Sequence, residues 1–206
     1  YAATLTNDIN TKLTIYKSAE KMYGQDWRCV NNVGYIYLMQ NKLSDAQAQF
    51  DKANTLSANN PIVLNNLGIA ARWKGDRKAA ADYYKSAMSA GPEVSYNMGI
   101  IQIMQGNYTD AVSSFGSMNT FNSALAKLLN GAPNDALSTI DASNESDAAL
   151  SFYLKAVAGA RTSNKDLMIN NLKSAINKDS SFKSKAKEDC EFLKYKEDAD
   201  FKALAN

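Results

Sequence analysis

A pattern that repeats after 34 residues constrains this sequence more than any other feature. A glycine preceded by an aliphatic residue occurs at Gly34 and again at Gly68, and alanines and one aromatic residue follow each glycine at the same distances. Phe50 and Tyr84 hold the aromatic position. A period of about 20–50 residues is typical of a solenoid whose repeating unit is one supersecondary motif. The sequence therefore predicts an all-α structure of stacked antiparallel helix pairs.

The aromatic position of the second helix can be followed along most of the chain, and a mostly small residue stands three positions after it. The large members are Tyr16, Phe50, Tyr84, Phe115, Ile140 and Leu172, and the residues three positions later are Ala19, Ala53, Ala87, Met118, Ser143 and Ala175. The spacing falls below 34 residues after Tyr84, which predicts shorter helices in the third and fourth repeats.

These positions predict one continuous domain over residues 1–206, with about five repeats. The predicted repeats are 27–60, 61–91, 92–118, 119–145 and 146–179, with a partial N-terminal repeat at 5–22 and a C-terminal cap at 180–206. A charged, amphipathic helix over 182–194 is expected to form the cap, because a terminal repeat needs a polar outer face. The fifth repeat is degenerate, since Met168 stands where alanine is usual.

This arrangement of glycine, alanine and aromatic positions resembles the tetratricopeptide repeat (TPR) family. The resemblance implies a right-handed superhelical solenoid in which the first helix of each pair lines a concave groove. It also implies a non-enzymatic scaffold that binds a segment of another protein in that groove. The identity of the partner does not follow from the sequence.

Asparagine occupies one groove position in four repeats. Two residues before the repeat glycine or its equivalent lie Asn32, Asn66, Asn97 and Asn122, which we call the asparagine column. The column resembles the asparagine ladder with which some TPR proteins hold extended peptides. A carboxamide has an acceptor and two donors, so it can pair with a peptide backbone whatever the side chains are. The alternative is that these asparagines make only local helix contacts.

Large apolar residues occupy two further groove positions. The resemblance places Tyr35, Met39, Trp73 and Met104 on the groove, where such side chains would be strong contacts for a partner. Apolar residues at helical spacing are more often core, and that interpretation is favoured for Ile69, Ile100 and Leu125 at the position of Tyr35.

One TPR subclass grips the C-terminal carboxylate of chaperones with lysine, asparagine and arginine at set groove positions. This sequence departs from that pattern, because Tyr35 replaces an asparagine and Glu93 and Asn97 replace the basic residues. Only Asn66 matches, so we do not expect a chaperone-tail clamp.

Composition argues against several other functions. The chain has no histidine, a net charge of +2 and no cluster of residues with metal-ligand spacing, so no enzyme activity, metal, cofactor or nucleic-acid partner is predicted. Cys29 and Cys190 are far apart in an array where each repeat contacts its neighbours, so both are expected to be free thiols.

The sequence also gives expectations for the compartment and the assembly. No apolar run approaches the roughly 20 residues of a membrane span, so no direct membrane insertion is expected. The chain begins at Tyr1, which suggests a processed or cut form, and its many asparagine, serine, threonine and tyrosine residues favour an exported bacterial protein, periplasmic or outer-membrane-associated. The alternative function is a structural or self-associating module that stacks through the surface near residues 5–22.

Overall fold

The computed structural model describes residues 2–205, and each regular element in this range is a helix. The predicted all-α helical repeat is therefore confirmed. Contacts divide the chain into two compact units, unit 1 (Tyr1–Gln105) and unit 2 (Gly106–Asn206). The division falls between the two helices of the predicted third repeat. The prediction of one continuous domain stays a prediction, and each unit is described by itself.

Unit 1 contains the N-terminal helix, two complete helix pairs and the first helix of the third repeat. It starts with a short 3-10 helix (Ala2–Leu5), and a second 3-10 helix (Met88–Ala90) precedes its last helix. Its α-helices are α1 (Ile9–Met22), α2 (Trp27–Met39), α3 (Leu43–Leu56), α4 (Pro61–Trp73), α5 (Arg77–Ser86) and α6 (Pro92–Gln105).

Unit 2 contains the second helix of the third repeat, the fourth and fifth repeats and the cap. Its α-helices are α7 (Tyr108–Phe115), α8 (Phe121–Leu129), α9 (Pro133–Asp141), α10 (Ala149–Arg161), α11 (Lys165–Lys178), α12 (Ser181–Glu188) and α13 (Ala199–Ala205). The second helices of the third and fourth repeats, α7 and α9, have 8 and 9 residues, which confirms the predicted shortening.

The prediction of a single cap helix over 182–194 is wrong in one respect, because the helix is interrupted at Asp189. α12 ends at Glu188, and a 3-10 helix (Cys190–Tyr195) follows. The Asp189 carboxylate accepts a hydrogen bond from the Glu191 backbone N–H at 3.0 Å, which starts a new helix instead of extending the old one. Phe182 and Phe192 are nevertheless both buried in the core of unit 2.

The predicted large residues of the second helices form the core. Phe50, Tyr84, Phe115, Ile140 and Leu172 are each at most 1% exposed. Tyr16 is the exception, since α1 has no buried residue and Tyr16 is half-buried.

The repeat glycines are required because aromatic rings lie directly against them. A Cβ atom added at Gly34 would lie 2.7 Å from the Phe50 ring, and one added at Gly68 would lie 2.5 Å from the Tyr84 ring. In unit 2 the same two positions hold Ala124 with Ile140, and Ala156 with Leu172. The sequence thus carries glycine against a ring and alanine against a smaller aliphatic side chain.

One residue near the middle of each predicted repeat has the same backbone conformation. Asn41, Gly75, Gly106, Gly131 and Ser163 each follow the small position by seven residues, and all five have positive φ, between 57° and 87°. Glycine and asparagine tolerate this left-handed conformation best. The fifth repeat, predicted to be degenerate, therefore keeps the repeat geometry despite serine at this position.

Met168 is accommodated in the fifth repeat by a neighbouring glycine. Met168 is fully buried where other repeats carry alanine. On the facing helix, a Cβ atom at Gly159 would lie 2.6 Å from the Met168 backbone nitrogen. The absence of a side chain at Gly159 lets α10 and α11 approach closely.

Candidate partner-binding surface

The first helices of successive repeats in unit 1 carry most of the predicted site. α2 packs beside α4, and α4 packs beside α6. Residues at the same distance from the repeat glycine therefore lie on the same side of unit 1. Seven of the eight predicted site residues lie on these three helices. The eighth, Asn122, is half-buried on α8 in unit 2.

The four large predicted contact residues in unit 1 are exposed. Tyr35, Met39, Trp73 and Met104 have 39–53% of their surface accessible, and we call them the exposed row. A single exposed apolar side chain needs no explanation. Four of them at two equivalent positions of neighbouring helices offer a surface on which apolar side chains of a partner can pack. Their contact with a partner stays a prediction.

The asparagines of unit 1 are hydrogen-bonded to one another from repeat to repeat. Asn66 donates from Nδ2 to Asn31 Oδ1 at 2.8 Å, and Asn97 donates from Nδ2 to Asn65 Oδ1 at 3.1 Å. All four side chains are at most 8% exposed, and we call them the carboxamide pairs. Asn32, in the same column as Asn66, is only half-buried. Asn66 and Asn97 therefore have a role in the fold, and binding of a ligand by the asparagine column stays a prediction.

A polar recess lies next to the carboxamide pairs. Its volume is about 340 Å³. It is lined by Asn31, Asn32, Tyr35, Ile62, Asn65, Asn66, Ala90, Glu93 and Val94. Glu93 is the one charged residue among them, and the Asn65 Nδ2 group lies 3.5 Å from its Oε1 atom. The recess is therefore lined both by two residues of the asparagine column, Asn32 and Asn66, and by Tyr35 of the exposed row.

Sequence reasoning missed Asn31, Asn65 and Ile62, and it did not assign Glu93 to the predicted site. The sequence does carry a signal for the first two, because the doublet Asn31-Asn32 recurs 34 residues later as Asn65-Asn66. Ile62 lies in the first turn of α4, outside the positions considered for the groove. Glu93, in the first turn of α6, was considered only as a departure from the chaperone-tail clamp.

Unit 2 has an apolar recess that the sequence did not indicate as a site. Its volume is about 430 Å³. Its apolar lining consists of Phe121, Leu125, Leu128, Leu129, Leu150, Tyr153, Leu154 and Val157, with Arg161, Lys185, Asp189 and Glu191 at the polar edge. The residues come from α8, α10, α12 and the segment where the cap is broken.

The polar edge of this recess is held by two side-chain contacts. The Tyr153 hydroxyl donates to Asp189 Oδ2 at 2.6 Å. The pKa of Tyr153 is raised, mainly because the side chain is buried and secondly because of this hydrogen bond. The Arg161 guanidinium donates from Nε to Glu191 Oε2 at 3.0 Å, and this contact raises the pKa of Arg161. Both pairs fix the cap segment against α10.

The helix pairs, turns and small positions define an α-helical repeat protein. Solved TPR proteins have the same fold as this chain. YrrB, described as a TPR protein with an unusual peptide-binding site, has a TM-score of 0.62 and 23% identity, over 80% of this chain and 92% of YrrB. PilW, a type IV pilus biogenesis factor, has a TM-score of 0.69 and 14% identity, over 97% of this chain and 91% of PilW. The chain therefore has the TPR fold.

Comparisons of sequence do not assign the chain to a family. No family model matches the chain. A stretch of 89 residues, 43% of the chain, is 27% identical to the cellulose synthase 2 operon protein C of Komagataeibacter xylinus. The match spans only 7% of that protein. Within residues 2–205, no helix combines the length and apolar character needed to cross a membrane.

Proposed function

We propose that this chain is a non-enzymatic scaffold that binds an extended segment of a partner protein along α2, α4 and α6. The observation that carries the proposal is the exposed row, which stands on successive helices next to the polar recess. Aromatic and methionine side chains contribute large contact areas in protein interfaces, while the recess offers hydrogen-bonding groups for a peptide backbone. YrrB, a protein of the same fold, is described as having a peptide-binding site, which supports this proposal.

Trp73 is expected to be the strongest contact in this surface. Short peptides selected on the whole chain from a random display library provide the ligand, and calorimetry gives the affinity. The substitution Trp73→Ala should weaken binding by about 30-fold, the loss expected when a central aromatic contact worth about 2 kcal/mol is removed. Because Trp73 is 45% exposed, thermal unfolding should change little.

Met88 offers a matched control. It is 47% exposed in unit 1, but it lies in the 3-10 helix Met88–Ala90, outside α2, α4 and α6. Met88→Ala should leave peptide affinity unchanged. Equal losses from Trp73→Ala and Met88→Ala, or a library that yields no binder, would contradict the proposed scaffold.

A second candidate function is self-association through the N-terminal helix. Leu5, Met22 and Tyr23 are 59–72% exposed. α1 is attached to the first repeat by polar contacts, with Lys52 Nζ at 2.6 Å from Glu20 Oε1 and Gln40 Nε2 at 3.1 Å from Asn10 Oδ1. The apolar residues at this end are left available for a second copy of the chain or for a preceding repeat.

Sedimentation velocity over a concentration series tests the self-association. The expected result is a concentration-dependent dimer that is lost when Met22→Glu and Tyr23→Glu are combined, because two carboxylates would then be buried in the interface. Leu193→Glu is the control, since Leu193 is 63% exposed in unit 2. A monomer at millimolar concentration would exclude this candidate.

A periplasmic or outer-membrane-associated location completes the proposal. It is supported by composition and by two similar proteins whose names refer to type IV pilus biogenesis and to a cellulose synthase operon. Fractionation of cells that produce the protein at natural levels tests it. Recovery with cytoplasmic markers would overturn it.

A further inference from the structure

The lining of the polar recess of unit 1 is negatively charged, which would favour binding of a cation. Glu93 is its one charged lining residue, and it is exposed on the first turn of α6. Within residues 2–205, no lysine or arginine lies in ion-pair distance of Glu93. Among the described residues, the Asn65 amide at 3.5 Å is its one hydrogen-bond partner, and this contact leaves the second carboxylate oxygen available. Within the described residues, the one carboxylate of the recess therefore has no ion-pair partner.

The carboxamide pairs add an acceptor to this charge. Asn66 uses its Nδ2 group to donate to Asn31, and the described part of the chain provides no donor to the Asn66 Oδ1 atom. Asn66 is 8% exposed and lines the recess, so its orientation is fixed by the pairing with Asn31. A ligand with several N–H donors can bond to this oxygen and to the Glu93 carboxylate.

Apolar walls complete the recess. Tyr35 and Ile62 both line it, and both are about half exposed. An aromatic face attracts a cation, and arginine also stacks its planar group on such a face. The guanidinium has five N–H donors in a fixed plane, so it can make two parallel bonds to a carboxylate while a further N–H reaches another acceptor. Lysine has a single ammonium and makes fewer of these contacts.

We propose that this recess receives a basic side chain, arginine in preference to lysine, from the partner segment bound along α2, α4 and α6. The inference rests on the proposed scaffold function and names the chemistry of one residue of its ligand. Glu93 and Asn66 Oδ1 accept from the guanidinium, and Tyr35 and Ile62 cover its apolar stem. The site would thereby set the register of the bound segment.

Peptides selected from the random library, on the whole chain and on its Glu93→Gln variant, test the proposal. Selection on the original chain should enrich arginine at one peptide position, and selection on the variant should not. Replacing that arginine by citrulline, its neutral counterpart of the same shape, should weaken binding about 5-fold, and Glu93→Gln should weaken the arginine peptide by a similar factor. Added salt should reduce the difference.

Glu188→Gln is the matched control, because it removes the same charge from an exposed position on α12 in unit 2. It should not alter affinity or selection. Binders without an enriched basic position, or equal affinities for arginine and citrulline peptides, would overturn the recess proposal while leaving the scaffold intact.

A library without any binder would overturn the scaffold itself. In that case the recess is tested by itself in a titration with N-acetyl-arginine amide. The NMR signals of the asparagine side-chain amides report binding. Saturable shifts that N-acetyl-citrulline amide does not cause would support a cation site. Shifts that do not saturate would overturn it.

Discussion

Replacing Gly68 with alanine is expected to lower the free energy of unfolding by about 2 kcal/mol. The added Cβ atom would lie 2.5 Å and 2.7 Å from two atoms of the Tyr84 ring, and this ring is fully buried and cannot swing away. Overpacking a core by one methyl group costs about 1–3 kcal/mol, and three ring atoms at 3.0 Å or less place this case at the upper end. The higher helix propensity of alanine offsets about 1 kcal/mol. Urea unfolding, followed by circular dichroism, measures the difference.

Gly24 supplies the control for this substitution. A Cβ atom there would lie 3.4 Å from the Glu20 carbonyl oxygen, which is an ordinary contact. Gly24→Ala should therefore change the free energy of unfolding by no more than about 0.5 kcal/mol. Equal effects of Gly24→Ala and Gly68→Ala would mean that the ring contact does not explain the glycine.

The fourth repeat indicates how the clash can be relieved. It combines Ala124 with Ile140, and Ile140 is fully buried. Adding Tyr84→Ile to Gly68→Ala should therefore cost less than the sum of the two single changes, by about 1 kcal/mol. An additive result would show that the small position and the ring position are independent.

The helix pairs could be predicted from the sequence because their determinants are local and repeated. Phe50 and Tyr84 lie at one spacing from the glycines they contact, and the turn residues Asn41 and Gly75 lie at another. Each pair packs mainly on itself and its neighbours, so a repeated pattern is enough to identify it. Repeat five was recognised by the same spacings although Met168 replaces alanine.

The cap could not be predicted in the same way. Its break at Asp189 depends on a hydrogen bond from this carboxylate to the Glu191 N–H, and the charged pattern of the segment gives no sign of it. The apolar recess of unit 2 depends on that break, because Asp189 and Glu191 lie at its edge. A site built from a non-repeating segment has no period from which to predict it.

The candidate site in unit 1 was predicted in part. The exposure of Tyr35 and Trp73 agrees with their expected positions, and Ile69 and Ile100 are half-buried at the position of Tyr35. The pairing of asparagines was not predicted, because it joins residues at two different positions of adjacent repeats. Which carboxamides meet depends on the distance and angle between helices, and the repeat pattern does not specify these.

This pairing leads to the second large expected effect. Asn66→Ala should lower the free energy of unfolding by about 1–3 kcal/mol, because the buried Asn31 Oδ1 atom loses its donor at 2.8 Å and alanine offers none in its place. Asn97→Ala should act in the same way on Asn65, which it contacts at 3.1 Å. A free asparagine in the groove would instead affect ligand binding and leave unfolding unchanged.

Asn32→Ala separates these two roles within the asparagine column. Asn32 has the same position in its repeat as Asn66, but it is half-buried and lies outside the carboxamide pairs, so its replacement should change unfolding by no more than about 0.5 kcal/mol. Removing both partners, Asn31→Ala with Asn66→Ala, should cost less than the sum of the single changes by about 1 kcal/mol, since no unpaired carboxamide remains. If Asn32→Ala and Asn66→Ala prove equally costly, the carboxamide pairs do not stabilise the repeat interface. If unfolding of Asn66→Ala is unchanged while peptide affinity falls, the asparagine column serves the ligand and not the fold.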